Sequence, residues 1–299
     1  MSPLLYFAIP WFLLTMFVEA KLLPRARARG SDVTPYEPRD SRASVAMGFG
    51  NLVISFAARF GTVALYAVLY THRIFEIGTG PWAWVLLLFA EDFTYYWWHR
   101  ASHEVRFLWA AHENHHSSQH FNLSTALRQS WTTPFTVPLF YFWLPLAGLR
   151  PEMLLTQISV SLVYQYWVHT ELIGKLGPFE WILNTPSHHR VHHGANVEYL
   201  DRNHAGIFII WDRLFGTFEP EHARVVYGLT KNIETYAPVR IAFHEWAALA
   251  ADVRRARTYR DRLGYVLRPP GWSPDGSTLT AAQMRARMHS TSGNVTAIP

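Results

Sequence analysis

Four histidines fall within six positions of the stretch TPSHHRVHHG, residues 185–194. Thr185 suits an N-cap, Pro186 the first helical position and Gly194 the left-handed residue that closes a helix, so about two turns of helix are expected. On that helix His189, His192 and His193 stand at i, i+3 and i+4 and share a face, and His188 reaches His192 at i+4. Three imidazoles on one face repel as cations but cooperate as neutral metal ligands. The pattern recurs. HENHH supplies His112, His115 and His116 with the same offsets, HRASH supplies His99 and His103, and QYWVH supplies Gln165 and His169. An i, i+4 step rises about 6 Å, which lets two rings converge on one ion or on two neighbouring ions.

Twelve of the 16 histidines lie between positions 99 and 204. The set His99, His103, His112, His115, His116, His169, His189, His192 and His193 exceeds what one tetrahedral zinc takes, so two metals are expected. Gln165, one turn before His169, is a candidate to complete the shell. Imidazole suits iron, zinc and copper alike, so ligand type does not choose the metal. A buried cluster of neutral histidines without a metal would be costly, because each ring needs a hydrogen-bond partner. His120, His188 and His204 stand at the edge of this set, and the histidines outside the interval, His244 among them, read as ordinary polar residues. The chain has no cysteine. That excludes disulfides, cysteinyl iron–sulfur clusters and thiolate-ligated haem.

Five apolar runs approach the roughly 20 residues of a bilayer span. They cover about 3–23, 48–71, 81–98, 131–148 and 152–170. PRARARG after the first run marks it as an anchor helix and not a signal peptide. Only LRP separates the last two, which predicts a tight helical hairpin. The expected fold is an all-α integral membrane bundle of about five embedded helices with a cytosolic helical cap. Thirteen tryptophans suit membrane interfaces. The net charge is +5, but the basic residues flank apolar runs, which points to membrane phosphates and away from nucleic acid. Arg25, Arg27, Arg29, Arg39 and Arg42 place the first loop in the cytoplasm. Alternation then puts the N-terminus and residues 72–80 outside, and residues 99–120 and 171–299 inside with every histidine cluster. The excess of arginine over lysine suggests a bacterial inner membrane. Three regions are expected: anchor helices over 1–75, a catalytic region over 76–245 and a C-terminal helix with loose tail over 246–299. Within that tail at most a short helix is expected near 280–288.

The set HxxxH, HxxHH, HxxHH after several spans resembles the fatty acid hydroxylase/sterol desaturase superfamily of membrane di-iron enzymes. The blocks EDFTYYWWHRASHE, HHSSQHFNLSTALRQS, WVHTELIGKLGPFEWILNTPSHHRVHHG and GIFIIWDRLFGTFEPE look most like members that cleave the ether bond of alkylglycerols. One departure is NHAG at 203–206, where those relatives carry an aromatic residue at the place of His204. The resemblance implies a non-haem di-iron oxygenase that uses O2 on a lipid, with the nine histidines as ligands. Its electrons would come from reduced tetrahydrobiopterin, another reduced pterin or a redox protein. Hydroxylation next to an ether oxygen leaves a hemiacetal that separates into fatty aldehyde and glycerol derivative.

Carboxylates beside the ligands are candidates for orienting the rings through their second nitrogen. Glu104 follows His103, Glu113 follows His112, and Glu171 lies two beyond His169. Asp92 stands on the His99 face of the same helix, beside Glu91. Asp92 and Glu104 are the candidate catalytic groups, and Glu104 is also the candidate to bind the pterin or relay a proton. Arg128 is a candidate for a lipid phosphate, and Tyr95, Trp98 and Tyr166 for the substrate tail. The rival readings are hydroxylation or desaturation of a sterol, carotenoid or fatty acyl chain, a zinc-binding or zinc-transporting membrane protein, and a bis-histidine haem protein.

Overall fold

The computed structural model describes residues 3–295, and every regular element among them is helical. Helices α1 (Pro3–Ala28) and α2 (Pro38–Thr71) are long and apolar enough to cross a bilayer. Glu37 caps α2 by accepting from the Asp40 amide, and Pro38 sits in the first turn, where its missing N–H costs nothing. At about 1.5 Å per residue α2 is about 51 Å long, well beyond the ~30 Å hydrocarbon core. Its two ends differ accordingly. Asp40 and Ser44 are buried against Ser118 and Arg128, and Ala43 and Met47 against Ile241 and Ala242, whereas Phe49, Val53, Phe56, Phe60 and Val68 are exposed.

Helix α3 (Pro81–Glu104) continues past its apolar run and carries His99 and His103 on its last turns. The run at 131–148 departs from the expected hairpin. It forms three short segments, Thr133–Thr136, Pro138–Tyr141 and Trp143–Ala147, because Pro138 and Pro145 cannot donate to the preceding turns. Residues 133–147 reach only about 22 Å at helical rise. One continuous helix, α4 (Pro151–Trp167), makes the return. Tyr66, Leu87, Tyr141, Leu144 and Leu154 form the apolar core shared by α2, α3, α4 and the kinked segments. At one end of this core the Ile74 amide donates to Leu146 O. At the other end the loop before α2 meets the histidine region, where the Thr34 amide donates to Glu171.

Beyond α4 the chain folds into a dome over the ends of α3 and α4. It contains α5 (Pro186–His192), α6 (Pro238–Arg255) and α7 (Tyr259–Leu267), with a core of Phe121, Val191, Tyr199, Val225 and Tyr227. Ile241 and Ala242 of α6 pack on Ala43 and Met47 of α2, tying dome to bundle. The expected loose tail is more ordered than its composition suggests. Residues Ala281–Val295 form α8, which is tied to the dome by Arg285 donating to Leu200 O, and residues 296–299 lie outside the described region.

Candidate metal centre

The nine histidines converge on one buried volume at the top of the bundle. Each exposes 8% of its surface or less. Two come from α3, three from the turn and short helix at 112–116, one from the residue two beyond α4, and three from α5 and its C-cap. Their nitrogens form two groups. His99, His103, His112, His116 and His192 make one, and His115, His169, His189 and His193 make the other. Each HxxHH triple is therefore split. The outer i, i+4 pair, His112/His116 or His189/His193, shares a group, and the middle ring, His115 or His192, crosses to the other.

Within the groups the ring Nε2 atoms face one another. His99 lies 2.9 Å from His112, His112 3.1 Å from His116, His115 3.3 Å from His169, His169 3.0 Å from His189 and His189 3.2 Å from His193. Two nitrogens about 2.1 Å from one metal lie about 3.0 Å apart at a right angle and about 3.4 Å apart at a tetrahedral one. The observed edges are those of a coordination polyhedron.

Tautomers decide what these contacts are. Nδ1 of His115 meets Arg128 O at 3.3 Å, and Nδ1 of His169 meets Gln165 O at 2.8 Å. A nitrogen against a carbonyl carries the proton, so in the neutral rings both Nε2 atoms are bare lone pairs. Two lone pairs face each other across 3.3 Å with no hydrogen between them. His99 and His192 are pinned in the same way, through His204 O at 2.8 Å and Arg202 O at 2.9 Å. Burial, reinforced by neighbouring histidines, pushes His112, His116, His189, His192 and His193 well below the ordinary imidazole range. Burial takes His115 down to about 4. Neutral rings with inward lone pairs and carbonyl-bound outer nitrogens fit a pair of divalent cations.

Residues 84–217, which contain all nine rings, match the model of the fatty acid hydroxylase family. This part of the chain belongs to that family. Alkylglycerol monooxygenase of Xenopus tropicalis is 42% identical over 242 residues, covering 80% of this chain and 54% of the relative. That of Danio rerio is 48% identical over 218 residues, covering 71% and 48%. An ornithine lipid hydroxylase of Rhizobium tropici is 30% identical over 184 residues, covering 60% and 55%. The chain spans about half the length of the curated relatives it matches. No solved structure matches it. Animal and bacterial relatives together give no ground for a bacterial inner membrane in particular; membrane association stands on α1, α2 and the family.

Around this centre the remaining candidates take varied places. Asp92 does not orient a histidine. Its carboxylate accepts from the Ile207 amide at 2.6 Å, the Phe208 amide at 3.0 Å and Trp211 Nε1 at 2.9 Å, and so clamps the 203–211 loop to α3. Gly206 permits that approach, since a Cβ there would lie 2.8 Å from Asp92 Oδ1. Gly194 likewise serves contact and not a left-handed turn, because a Cβ would meet the Tyr199 ring at 2.9 Å. Glu91 accepts from Tyr141. Glu104 is half exposed and paired with Arg100 at 2.8 Å, away from the rings. Arg128 is buried and paired with Asp40, so its guanidinium holds the fold and not a lipid phosphate; its main chain orients His115. Gln165 gives its side-chain amide to Ser161 and its carbonyl to His169. Tyr95 and Trp98 lie against His99, with ring centroids 5.2 and 5.9 Å away. Tyr166 is instead committed to α1, stacked on Phe12 at 4.0 Å and donating to Phe12 O. Glu171 accepts from Tyr227 and Arg224. His120 meets Pro35 O, away from both groups.

Sequence reasoning passed over several positioning residues. Asp212 accepts from the amides of His204 and Ala205, shaping the loop whose carbonyl holds His99. Arg190, between two candidate ligands, pairs with Glu221 and donates to Thr170 O and Ile173 O just after His169. His204 is fully buried beside His103 at 5.0 Å between centroids, with both ring nitrogens unpartnered. His244 is no bystander either; it faces Glu113 at 3.5 Å. The aspartate after a tryptophan in WDRLFGTF was the available signal for Asp212. His204 had its own signal, the departure at NHAG, whereas nothing local marks Arg190 or His244.

A cavity of about 520 Å³ opens over His103, His116, His192 and His193 from the dome side. Arg106, Glu113, Asp201, Lys231, His244 and Asp252 stand on its walls, so its approach is polar and charged.

Proposed function

We propose that the chain is a membrane-embedded di-iron oxygenase that hydroxylates a lipid with O2, and that alkylglycerols, cleaved at their ether bond, are its substrate class. The observation that carries the metal reading is the pair of bare lone pairs on His115 and His169, which only a cation between or beside them makes favourable. The nine histidines named above are the proposed ligands. Two iron ions held there would supply the activation of O2 that insertion into an unactivated C–H bond needs. The relatives named as alkylglycerol monooxygenases favour the ether-lipid substrate, and the one named as a lipid hydroxylase keeps other lipids as the second reading.

The residues do the rest. Carbonyls of Gln165, Arg128, Arg202 and His204 hold four rings in the tautomer that binds a metal. Trp98 and Tyr95 cover His99 from the bundle side and keep water from that edge of the group. The charged cavity on the dome side suits a small hydrophilic electron donor, for which a reduced pterin is the candidate. Burial of apolar helices below the rings suits approach of a lipid from the bilayer, with the dome in the cytoplasm.

Metal analysis and turnover test this together. Purified protein should hold two irons per chain and release fatty aldehyde from an alkylglycerol with O2 and reduced tetrahydrobiopterin. Two irons with turnover only on a sterol or acyl lipid would replace the substrate. Exchangeable zinc with no oxygen consumption would replace the oxygenase by a zinc-binding protein.

A further inference from the structure

The contacts of the dome with α3 reach well beyond the metal end of that helix. Phe215 meets Trp97 at 4.9 Å, Trp211 meets Phe93 at 5.2 Å and Phe208 stacks on Phe89 at 4.9 Å. Phe89 stands ten residues before His99. At helical rise that is about 15 Å along the axis, half of the ~30 Å hydrocarbon core and so one leaflet. The short helix Ile210–Phe215 therefore runs alongside α3, with Phe208 at its deep end. The turn Gly177–Trp181 leads into the same deep end. Leu183 bridges Phe208, the Ile209 amide donates to Ile182 O, and the Asn184 amide donates to Ile207 O. Residues 177–183 and 207–215 thus form one wedge on the flank of α3.

The wedge sits on an apolar face. Trp82, Leu86, Phe89 and Phe93 share one side of α3 at i, i+4, i+7 and i+11, and beyond the wedge Trp82 and Leu86 are exposed. On the wedge itself Phe179, Trp181, Ile182 and Leu214 are each more than half exposed. Contiguous apolar exposure of this kind marks a surface that is covered. The polar groups of the wedge tell what covers it. Its two segments hold three charged residues, Glu180, Asp212 and Arg213, and none is exposed. Glu180 Oε1 accepts from the Leu176 amide and Thr185, and Asp212 accepts from the His204 and Ala205 amides and Thr217. Arg213 lies over the Phe218 ring and donates to Glu180 O. The main chain is served in the same way. The Ile182 and Leu183 amides donate to Phe179 O, the Ile207 and Phe208 amides to the Asp92 carboxylate, and the Arg213 amide to Ile209 O. In hydrocarbon every main-chain polar group needs a partner within the protein. Asp92, a carboxylate inside a spanning helix, supplies two of them at the deep end of the wedge.

We propose that residues 177–183 and 207–215 are embedded in the bilayer leaflet on the metal side, with lipid acyl chains against Phe179, Trp181, Ile182 and Leu214. The dome is then no detached cap. It enters the leaflet beside α3 as an apolar foot, in the manner of a monotopic protein. The foot holds the metal centre at the level of the headgroups, where a lipid reaches it without leaving the bilayer. The inference rests on the reading that α2 and α3 cross a membrane, and it departs from the expectation that all of residues 171–299 lie outside one.

The chain has no cysteine, so a fluorophore on a single introduced cysteine reports one position without background. Full-length Ile182→Cys and Leu214→Cys, labelled with nitrobenzoxadiazole, are reconstituted in phosphatidylcholine vesicles. The vesicles carry a spin-label quencher either near the headgroup or deep in the acyl chain. Phe56→Cys on α2 serves as the membrane reference, and Arg260→Cys, exposed on the dome, as the aqueous one. Both wedge probes should lose a share of emission comparable with that at Phe56 and resist aqueous iodide. Ile182, joined to the deep end, should respond more to the deep label, and Leu214 more to the shallow one. Metal content at the wild-type value shows that a variant is folded, and Phe179→Cys replaces Ile182→Cys should that one fail. Wedge probes open to iodide while Phe56 is quenched by lipid overturn the wedge and leave the spans standing. Wedge probes shielded from iodide and lipid alike indicate a protein neighbour, a second copy of the chain included, and overturn it as well. No lipid quenching at Phe56 removes the membrane reading and the proposal with it.

Discussion

The five-histidine and four-histidine groups arise from the same motifs but are held differently. In the four-histidine group His115 and His169 are fixed through Nδ1 by main-chain carbonyls, and Phe121, stacked on Tyr227 at 4.9 Å, walls off His169 and His193. In the five-histidine group His99 and His192 are fixed by carbonyls likewise, but His103 faces a carboxylate, Asp201, at 3.4 Å, and the ring of His204 stands beside it without a partner. Four donors leave an octahedral ion two further positions, and five leave one. Main-chain carbonyls pin two rings in each group, so what separates them is donor number: the group with more rings has redundancy, and the group with fewer has none to spare. A cluster that looks symmetric in its motifs is unequal in its tolerance of change.

The largest expected effect follows from that inequality. His169→Ala leaves three donors in its group, so the purified variant should retain about one metal per chain after dialysis and show no turnover. His103→Ala leaves four donors and should keep most of the second metal, though weakly held. Equal losses by metal analysis would break the distinction between the groups.

The next test concerns the support of the four-histidine group. Arg128, whose carbonyl orients His115, is anchored by a buried ion pair with Asp40. Asp40→Asn leaves that guanidinium uncompensated, and breaking such a pair costs about 3–5 kcal/mol. Denaturant unfolding should show that loss, with metal dropping first from the group containing His115.

A smaller effect appears with pH. His115 is held down to about 4 by burial, while the unfolded ring titrates near 6.5. Below that value the unfolded chain takes a proton the folded ring refuses, so stability falls progressively from about pH 6.5 toward pH 4. Metal-free protein followed by thermal unfolding should lose stability over that window and hold it above. Stability that rises as the pH drops would contradict a buried neutral ring.

The smallest change is expected at Glu104. Its pair with Arg100 is partly exposed, and exposed pairs contribute about 0–1 kcal/mol. Glu104→Gln should leave metal content, stability and the apparent requirement for reduced pterin near wild type. A raised pterin requirement with iron retained would bring Glu104 back to the site from which its Arg100 pairing removes it.

Much of the site was legible along the chain. Eight of the nine rings that come together are marked by i, i+3 or i+4 histidine spacing, because helical rise and rotation are local properties, and His169 joins them from a segment where it is the lone histidine. The apolar runs likewise announced α1, α2, α3 and α4. The kinked run at 131–148 shows the limit: hydropathy sums over a window, whereas Pro138 and Pro145 act at single hydrogen bonds.

What the sequence by itself determined was which histidines face the same way and that neighbouring elements carry them. Only the tertiary structure decided that each triple is divided between two groups, that Asp92 clamps a loop, that Arg128 is a buried ion-pair partner and that His204 arrives beside His103. The reason is physical. Side-chain periodicity follows from the geometry of one helix, but the partner of an Nδ1–H or a carboxylate is a carbonyl or amide that is distant along the chain for most of these groups, and only packing brings it within about 3 Å.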